Sequence, residues 1–255
     1  MVDIQHARTE IEAFLRDYLA DSGADGYVVG VSGGLDSAAT LQLAVNAVGP
    51  DRVHALVMPG DASQAENVAD AHRLCDGLGV TTDEISIDDI VAGFADAAPV
   101  DPDDVAAGNA AVRTRMVLLY MVANQEDRLV LGTSNRSELL VGYFTKWGDQ
   151  AADVRPIVDL YKTEVRELAR ELGLPDTFIE KPPTAGMWQG QTDEAELGAS
   201  YEEIDAVLQR YVDRSQDVGA VVEDAGIDRE TVEQVAALHE DSAHKRGPVP
   251  HPALR

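Results

Sequence analysis

A short apolar run, Tyr27-Val28-Val29-Gly30-Val31, passes directly into Ser32-Gly33-Gly34-Leu35-Asp36-Ser37 and then into a helical stretch, Ala38 to Val48. A continuously apolar strand is covered on both faces, the environment of a parallel sheet rather than of a half-solvated antiparallel one. The alternation then repeats. Val53 to Met58 reads as a strand, Gln64 to Leu78 as a helix opened by the capping pair Ser63 and Glu66, and Glu84 to Ile87 as a strand. Asp103 to Gln125 reads as a long helix, Arg128 to Gly132 as another buried strand, and Asn135 to Val141 as a short helix capped by Asn135 with Glu138 reaching back. Strands joined by helical crossovers of this kind form parallel sheets whose ligands sit at the carboxyl ends of the strands.

An amphipathic helix opens the chain: between about Asp3 and Asp21, Ile4, Ala7, Ile11, Phe14, Leu15 and Tyr18 recur at three- and four-residue spacing. Gly142 to Asp159 is polar, aromatic and glycine-containing, and irregular stretches of this length are commonly functional. A helix over Tyr161 to Leu172 stops at Gly173 and Pro175, and Lys181 to Ala199 has the composition of a mobile lid. Helices are predicted over Tyr201 to Arg214, behind the Ser200/Glu203 capping box, over Asp217 to Asp224, and from Asp228 to about Ala243. The expected fold is α/β, a Rossmann-like doubly wound parallel sheet with helices on both faces, plus a helical C-terminal extension. No repeat or linker divides the chain, so a single domain is expected over 1–255: an N-terminal helix (1–25), an α/β core (26–180), and a lid loop with C-terminal helices (181–255).

With 255 residues, 45% of them apolar, the chain can bury a core of its own. No apolar run approaches the ~18 residues that cross a bilayer, and the opening MVDIQHARTE lacks the layout of an export signal, so a cytoplasmic protein with no membrane partner is expected. The lone Cys75 excludes an internal disulfide, a cysteine-rich zinc site and a CxxC redox pair. Its helical neighbours His72, Leu74 and Leu78 mark it as core. Charge is the unusual bulk property: 20 Lys+Arg against 46 Asp+Glu leave a net −26, which argues against nucleic acid as a partner. The acids are spread along the whole chain, and only 4 of the 20 basic residues are lysines. Concentrated salt shortens the screening length to a few ångström and removes the self-repulsion of such a surface, so a halophilic origin is expected.

The glycine loop after the first strand is neither of the two standard nucleotide fingerprints. A Walker loop ends in Gly-Lys-Ser/Thr, where this chain has Leu35 and Asp36, and a dinucleotide fingerprint needs Gly-x-Gly-x-x-Gly. What remains is two adjacent glycines that expose backbone amides, two hydroxyls (Ser32, Ser37) and a helix N-terminus, together a cradle for an oxyanion such as pyrophosphate. Asp36 inside that cradle repels phosphate unless a divalent cation lies between them, which makes it a candidate magnesium ligand.

SGGLDS after a strand resembles the PP-loop of the ATP pyrophosphatases, adenine nucleotide alpha hydrolase-like proteins that cleave ATP between the α- and β-phosphates to adenylate an oxygen. Four further stretches narrow the resemblance: Asn109 to Met116 (NAAVRTRM), Gly132 to Glu138 (GTSNRSE), Phe144 to Asp149 (FTKWGD) and Pro183 to Trp188 (PTAGMW). In that order they look like the successive motifs of the NAD synthetases. His244-Lys245-Arg246 continues the match, which runs from about Gly30 to Pro250.

The resemblance implies ATP-dependent amidation of deamido-NAD to NAD. The nicotinate carboxylate attacks the α-phosphate of ATP, pyrophosphate leaves, and ammonia displaces AMP from the acyl-adenylate. It implies that Gly30, Val31, Ser32, Gly33, Gly34, Leu35, Asp36 and Ser37 hold the ATP phosphates, with Thr133, Lys162 and Thr184 as further ATP contacts and Gln64 in a loose version of a loop that encloses ATP. Asp36 and Glu138 are implied magnesium ligands, although Glu138 also reads as the capping partner of Asn135 and the two roles compete. Arg113, Lys146, Asp153, His244 and Lys245 are implied deamido-NAD contacts, Asp149 the holder of ammonium, and Phe144 a stacking face for the pyridine ring. Lys162 and Asp149 are the implied catalytic pair. A homodimer is implied, with the opening helix and the Asp103 to Gln125 helix as candidate interface elements. Ammonia is the implied donor, because the glutamine-dependent relatives carry an amidohydrolase domain with a nucleophilic cysteine, for which this chain has no room. The rival readings are another PP-loop adenylating enzyme and a non-catalytic ATP-binding module, the latter leaving Arg113, Lys146, Asp153 and His244 unexplained.

The charge argument sets a direct expectation. The thermal midpoint of the purified chain, followed by circular dichroism, rises by about 5 °C or more on going from dilute buffer to molar KCl.

Overall fold

A computed structural model describes residues 2–188 and 190–252; the ends of the expected 1–255 unit and Gln189 of the lid segment lie outside the described residues. Four strands, β1 (Gly26–Gly30), β2 (Val53–Val57), β3 (Thr81–Glu84) and β4 (Arg128–Leu131), form one sheet in the order β3-β2-β1-β4. Every pairing is parallel, with Tyr27 opposite Val53 on one side and Leu129 on the other. α1 (Ile4–Ser22) precedes the first strand, and α2 (Leu35–Val48), α3 (Ala65–Leu78), α4 (Asp88–Ala97) and α5 (Asp104–Gln125) run between the strands. The rest is helical: α6 (Arg136–Val141), α7 (Lys162–Glu171), α8 (Asp176–Ile179), α9 (Asp193–Leu197), α10 (Tyr201–Leu208), α11 (Val218–Ala225), α12 (Arg229–Asp241) and α13 (Ala243–Arg246). This is the expected doubly wound parallel sheet with its C-terminal helical extension. Among the described residues no helix is long and apolar enough to cross a membrane.

The two-residue period of the strands explains the layering. Tyr27 and Val29 of β1 and Val53, Ala55 and Val57 of β2 point into one core with α1, α2, α3 and α7. Val28, Leu56 and Val130 point the other way, onto Met116, Leu119 and Ala123 of α5. Cys75 is fully buried in the first core, as its helical neighbours suggest. A third core joins Leu140 and Val141 of α6 to Tyr201, Ile204, Val207 and Leu208 of α10 and to α11 and α12.

Several local readings need correction. The Ser63/Glu66 capping pair does not form: α3 starts from Gln64, and the Ser63 hydroxyl instead accepts from the Gly60 amide at 3.0 Å. The third strand lies at Thr81–Glu84, earlier than Glu84 to Ile87, because an edge strand need not be apolar; the Ile85 and Ile87 amides still donate to the Val57 and Pro59 carbonyls as the chain leaves the ladder. Helix α4 carries no strong stop or start signal and was not expected. Two helices are interrupted or added in the C-terminal third: α10 ends at Leu208 and continues as a π-helical turn, Gln209–Asp213, and the lid segment contains α9. The capping boxes at Asn135/Glu138 and Ser200/Glu203 form as expected.

Asp205 of α10 fastens the extension to the core. Buried, it accepts from the Ser137 hydroxyl on one oxygen and from the Thr163 amide (2.9 Å) and hydroxyl (2.8 Å) on the other. Asp205→Ala strands these donors and is expected to lower stability by about 3 kcal/mol in urea unfolding, with α6 and the start of α7 showing the largest gain in amide exchange.

Candidate functional site

The carboxyl edge of the sheet opens into a cleft of about 630 Å³ lined by the loop after β1, the ends of β2 and β4, the irregular stretch after α6 and the lid segment. The loop is ordered by its own hydroxyls. Ser37 Oγ accepts from the Ser32 amide at 3.2 Å and donates to the Gly34 carbonyl at 3.0 Å, while the Gly34 amide donates to Ser32 Oγ at 3.2 Å. Gly33 sits at φ +77°, and a Cβ there would stand 2.0 Å from the Asn67 carbonyl oxygen. The first-turn amides of α2 have no intrahelical partners, and its N-cap, Gly34, supplies no side-chain cap.

The mouth of the loop holds a buried cation. Lys162, the first residue of α7, is 4% exposed; its ammonium donates to the Asp36 carboxylate and lies 3.5 Å from Glu138 Oε1. Asn135 Nδ2 donates to the other Asp36 oxygen at 3.0 Å. Burial alone would lower the Lys162 pKa, but the carboxylates of Asp36 and Glu138 outweigh it and hold the ammonium above the ordinary lysine range. Burial, and then the neighbouring Asp36, push the Glu138 carboxyl up to about 8 against the pull of Lys162. Glu138 divides its oxygens: Oε2 accepts from the Asn135 amide at 3.4 Å while Oε1 faces Lys162, so capping leaves one oxygen for the cleft.

Of the other expected residues, Thr133, Asp149, Phe144, Thr184, Gln64 and Lys245 all line this cleft. Asp149 accepts from the Thr145 amide at 2.9 Å, and burial raises its pKa. Lys245 donates to the Gly142 carbonyl at 2.7 Å and the Phe144 carbonyl at 3.2 Å, its pKa lowered by burial. The remaining four do not line the cleft. Lys146 lines an adjoining cavity of about 210 Å³, with its ammonium on the His244 carbonyl at 3.0 Å. Arg113 and His244 are exposed, and Arg113 Nη2 donates to the Lys146 carbonyl at 2.9 Å. Asp153 lines neither cavity; it accepts from the Tyr120 hydroxyl at 2.9 Å and from the Val130 amide at 2.8 Å.

Three participants were not legible in advance. Asp193 of α9 is 3% exposed, lines the cleft and accepts from the Tyr201 hydroxyl at 2.9 Å, while its Oδ1 has no partner among the described residues. Tyr201 lies beneath Lys162, its ring 5.3 Å from the ammonium. Lys181 is the one lysine of the four that lies outside the matched motifs. All four lysines stand over aromatic rings, Lys146 over Trp147, Lys162 over Tyr201, Lys181 over Phe178 and Lys245 over Phe144, and three of them line the main cleft. That scarcity was the available signal. Among the described residues no cluster of three or more His, Cys, Asp or Glu side chains has the form of a metal site.

A parallel sheet with an amide-rich loop and a carboxylate-held cation at its carboxyl edge is a nucleotide-binding α/β architecture. Residues 7–249 match the family model described as NAD synthase, and the chain belongs to that family. It is 49% identical over 245 residues, 96% of each chain, to the NH(3)-dependent NAD(+) synthetase of Thermococcus kodakarensis. Among solved structures it is similar to an NMN synthetase from Francisella tularensis (TM-score 0.89, 36% identity, all of both chains). It is also similar to the NH3-dependent NAD synthetase of Campylobacter jejuni (TM-score 0.84, 32% identity, 99% of both chains).

The raised Glu138 pKa has a thermodynamic consequence. Between its unfolded value of 4.5 and its folded value of about 8, the native state holds a proton that the unfolded chain has released, so this group's contribution to stability falls as pH rises. Without magnesium, wild-type stability is expected to decline from pH 5 to pH 8 more steeply than that of Glu138→Gln, measured by urea unfolding across that range.

Proposed function

We propose that this chain catalyses the ATP-dependent amidation of deamido-NAD to NAD with ammonia, a C–N bond-forming ligase reaction that releases AMP and pyrophosphate. The observation that carries the reading is Lys162, brought from a distant point of the sequence into the mouth of the phosphate-type loop and held there between Asp36 and Glu138. No protein nucleophile is needed, so catalysis rests on positioning and on neutralising phosphate charge. In the first step the nicotinate carboxylate oxygen bonds to the α-phosphorus and the bond to pyrophosphate breaks. The loop amides from Gly30 to Ser37 hold the phosphates, with Thr133 and Thr184 as further contacts, and Lys162 neutralises the charge that gathers on the leaving group.

In the second step ammonia attacks the acyl carbon, the bond to AMP breaks, and the surplus proton passes to a base. Asp149 suits that role: half-buried, with its pKa raised, it holds an ammonium ion and accepts a proton from it. Phe144 offers its ring to the pyridine beside Lys245. Magnesium fits the donor set, because Asp36 and Glu138 supply two hard carboxylate oxygens and this ion takes its remaining ligands from phosphates and water. Those two residues would hold it, and bound there it neutralises phosphate charge.

Arg113, Lys146, Asp153, His244 and Lys245 are the deamido-NAD contacts in this reading, completed by a second copy of the chain. Arg113 shares its face of α5 with Val117 and Met121 at four-residue spacing, and Val117 (57%) and Met121 (63%) are exposed, as are Phe14 and Tyr18 of α1. An apolar face continuous with a binding arginine supports a homodimer whose interface passes through the second-substrate site. The chain works as one unit, since the cleft draws on the core, the lid segment and the C-terminal tail together. The reaction is placed in the cytoplasm, where ATP is available.

The test is NAD formation by the purified protein in molar KCl with ATP, magnesium and deamido-NAD. NAD is expected with ammonium chloride and not with glutamine, and Asp36→Ala and Lys162→Ala are each expected to reduce kcat/KM by at least about a hundredfold. ATP hydrolysis that is indifferent to deamido-NAD would instead favour an ATP-binding module.

A further inference from the structure

We propose that Lys181 is a positioning residue for the phosphate loop: it fixes the peptide between Gly33 and Gly34 so that the Gly33 carbonyl oxygen stays turned away from the nucleotide. The proposal rests on the reading that this loop holds the phosphates of ATP.

The Lys181 ammonium has three protons and three acceptors. Nζ donates to the Gly33 carbonyl at 2.9 Å, to Asn67 Oδ1 at 2.8 Å and to Asp70 Oδ2 at 2.6 Å, so its donor capacity is filled. Its side chain passes over the Phe178 ring at 5.5 Å. Asp70 is 4% exposed and also accepts from Arg73; the hydrogen bond from Lys181 is the first cause that holds its carboxyl below the ordinary range. One ammonium therefore ties together the glycine loop, α3 and the start of the lid segment.

The target of this tie is one peptide plane. Its carbonyl end is taken by Lys181 and its amide end by Ser32 Oγ at 3.2 Å. Ser32, Gly34 and Leu35 line the cleft whereas Gly33 does not, so the Gly33 backbone faces α3. The close approach of Gly33 to the Asn67 carbonyl confirms this placement. Glycine on both sides of a peptide leaves its rotation almost unopposed by side chains. Rotation of this plane would turn the negative end of a carbonyl dipole toward the phosphates, and the hydrogen bond from Lys181 opposes it. A neutral side chain of the same length cannot supply that bond.

Steady-state kinetics and inhibition of the full-length chain in molar KCl compare wild type with Lys181→Met. The KM for ATP and the inhibition constant for pyrophosphate are expected to rise together by about tenfold, the scale of one charge-assisted hydrogen bond. The KM for deamido-NAD and inhibition by adenosine, which has no phosphate, are expected to stay within about twofold of wild type. Equal weakening of adenosine and pyrophosphate would reveal a merely structural residue, and unchanged pyrophosphate inhibition would detach Lys181 from the loop; either result overturns the proposal. Lys181→Arg keeps the pair with Asp70 but spreads its donors over a planar fork, so it carries the same test if the methionine variant does not fold. A wild-type protein that makes no NAD would count against the functional reading alone, because calorimetric binding of pyrophosphate to wild type and variant still decides the role of Lys181.

Discussion

The site depends on one buried cation. The Lys162 ammonium is out of water, and an uncompensated charge in that position would be strongly destabilising. It is tolerated because Asp36 comes from the first turn of α2, Glu138 from the first turn of α6, and Lys162 itself from the first position of α7. Three helix starts thus converge on one point, and the orientation of each helix is constrained by the need to keep its member of the cluster in reach. The hydrogen-bonding around Asp205, which joins α10 to α6 and α7, fixes two of the three from the far side.

How much of this could be read from the chain alone differs between the sheet and the site. The strands β1, β2 and β4 were legible because both of their faces are buried, which forces continuous apolar residues into a short run. The edge strand β3 was misplaced because Thr81, Thr82, Asp83 and Glu84 lie largely exposed, while the apolar signal comes from Ile85 and Ile87 just past the ladder. Helix starts were legible wherever a side chain caps them, at Asp3, Asp103, Asn135 and Ser200, whereas α2, which has no side-chain cap, starts at Leu35, three residues before the expected Ala38.

The loop and its acidic residue could be found by spacing, since Gly33, Gly34, Asp36 and Ser37 are contiguous. Tyr201 and Lys181 could not, because their contacts with Lys162 and with the loop are made across the fold and leave no local pattern, nor could Asp193, which is held by the Tyr201 hydroxyl. The outer contacts show the reverse case. Arg113, Lys146, Asp153 and His244 were singled out by motif, yet in one copy of the chain they lie outside the cleft, Arg113, Lys146 and His244 linked by hydrogen bonds beside it and Asp153 apart from them. A motif records which residues matter together and does not record whether one molecule or two must bring them together.

The state of Lys162 bears on chemical self-protection. A lysine side chain is an alkylated ammonia, and the activated acyl group of the proposed reaction is an electrophile that does not distinguish strongly between amines. Held by two carboxylates, Lys162 keeps its proton well above neutral pH and so has no free electron pair to offer. The residue proposed to neutralise phosphate charge is in this way kept from being acylated itself, and small ammonia, free to shed its proton, is left as the competent nucleophile.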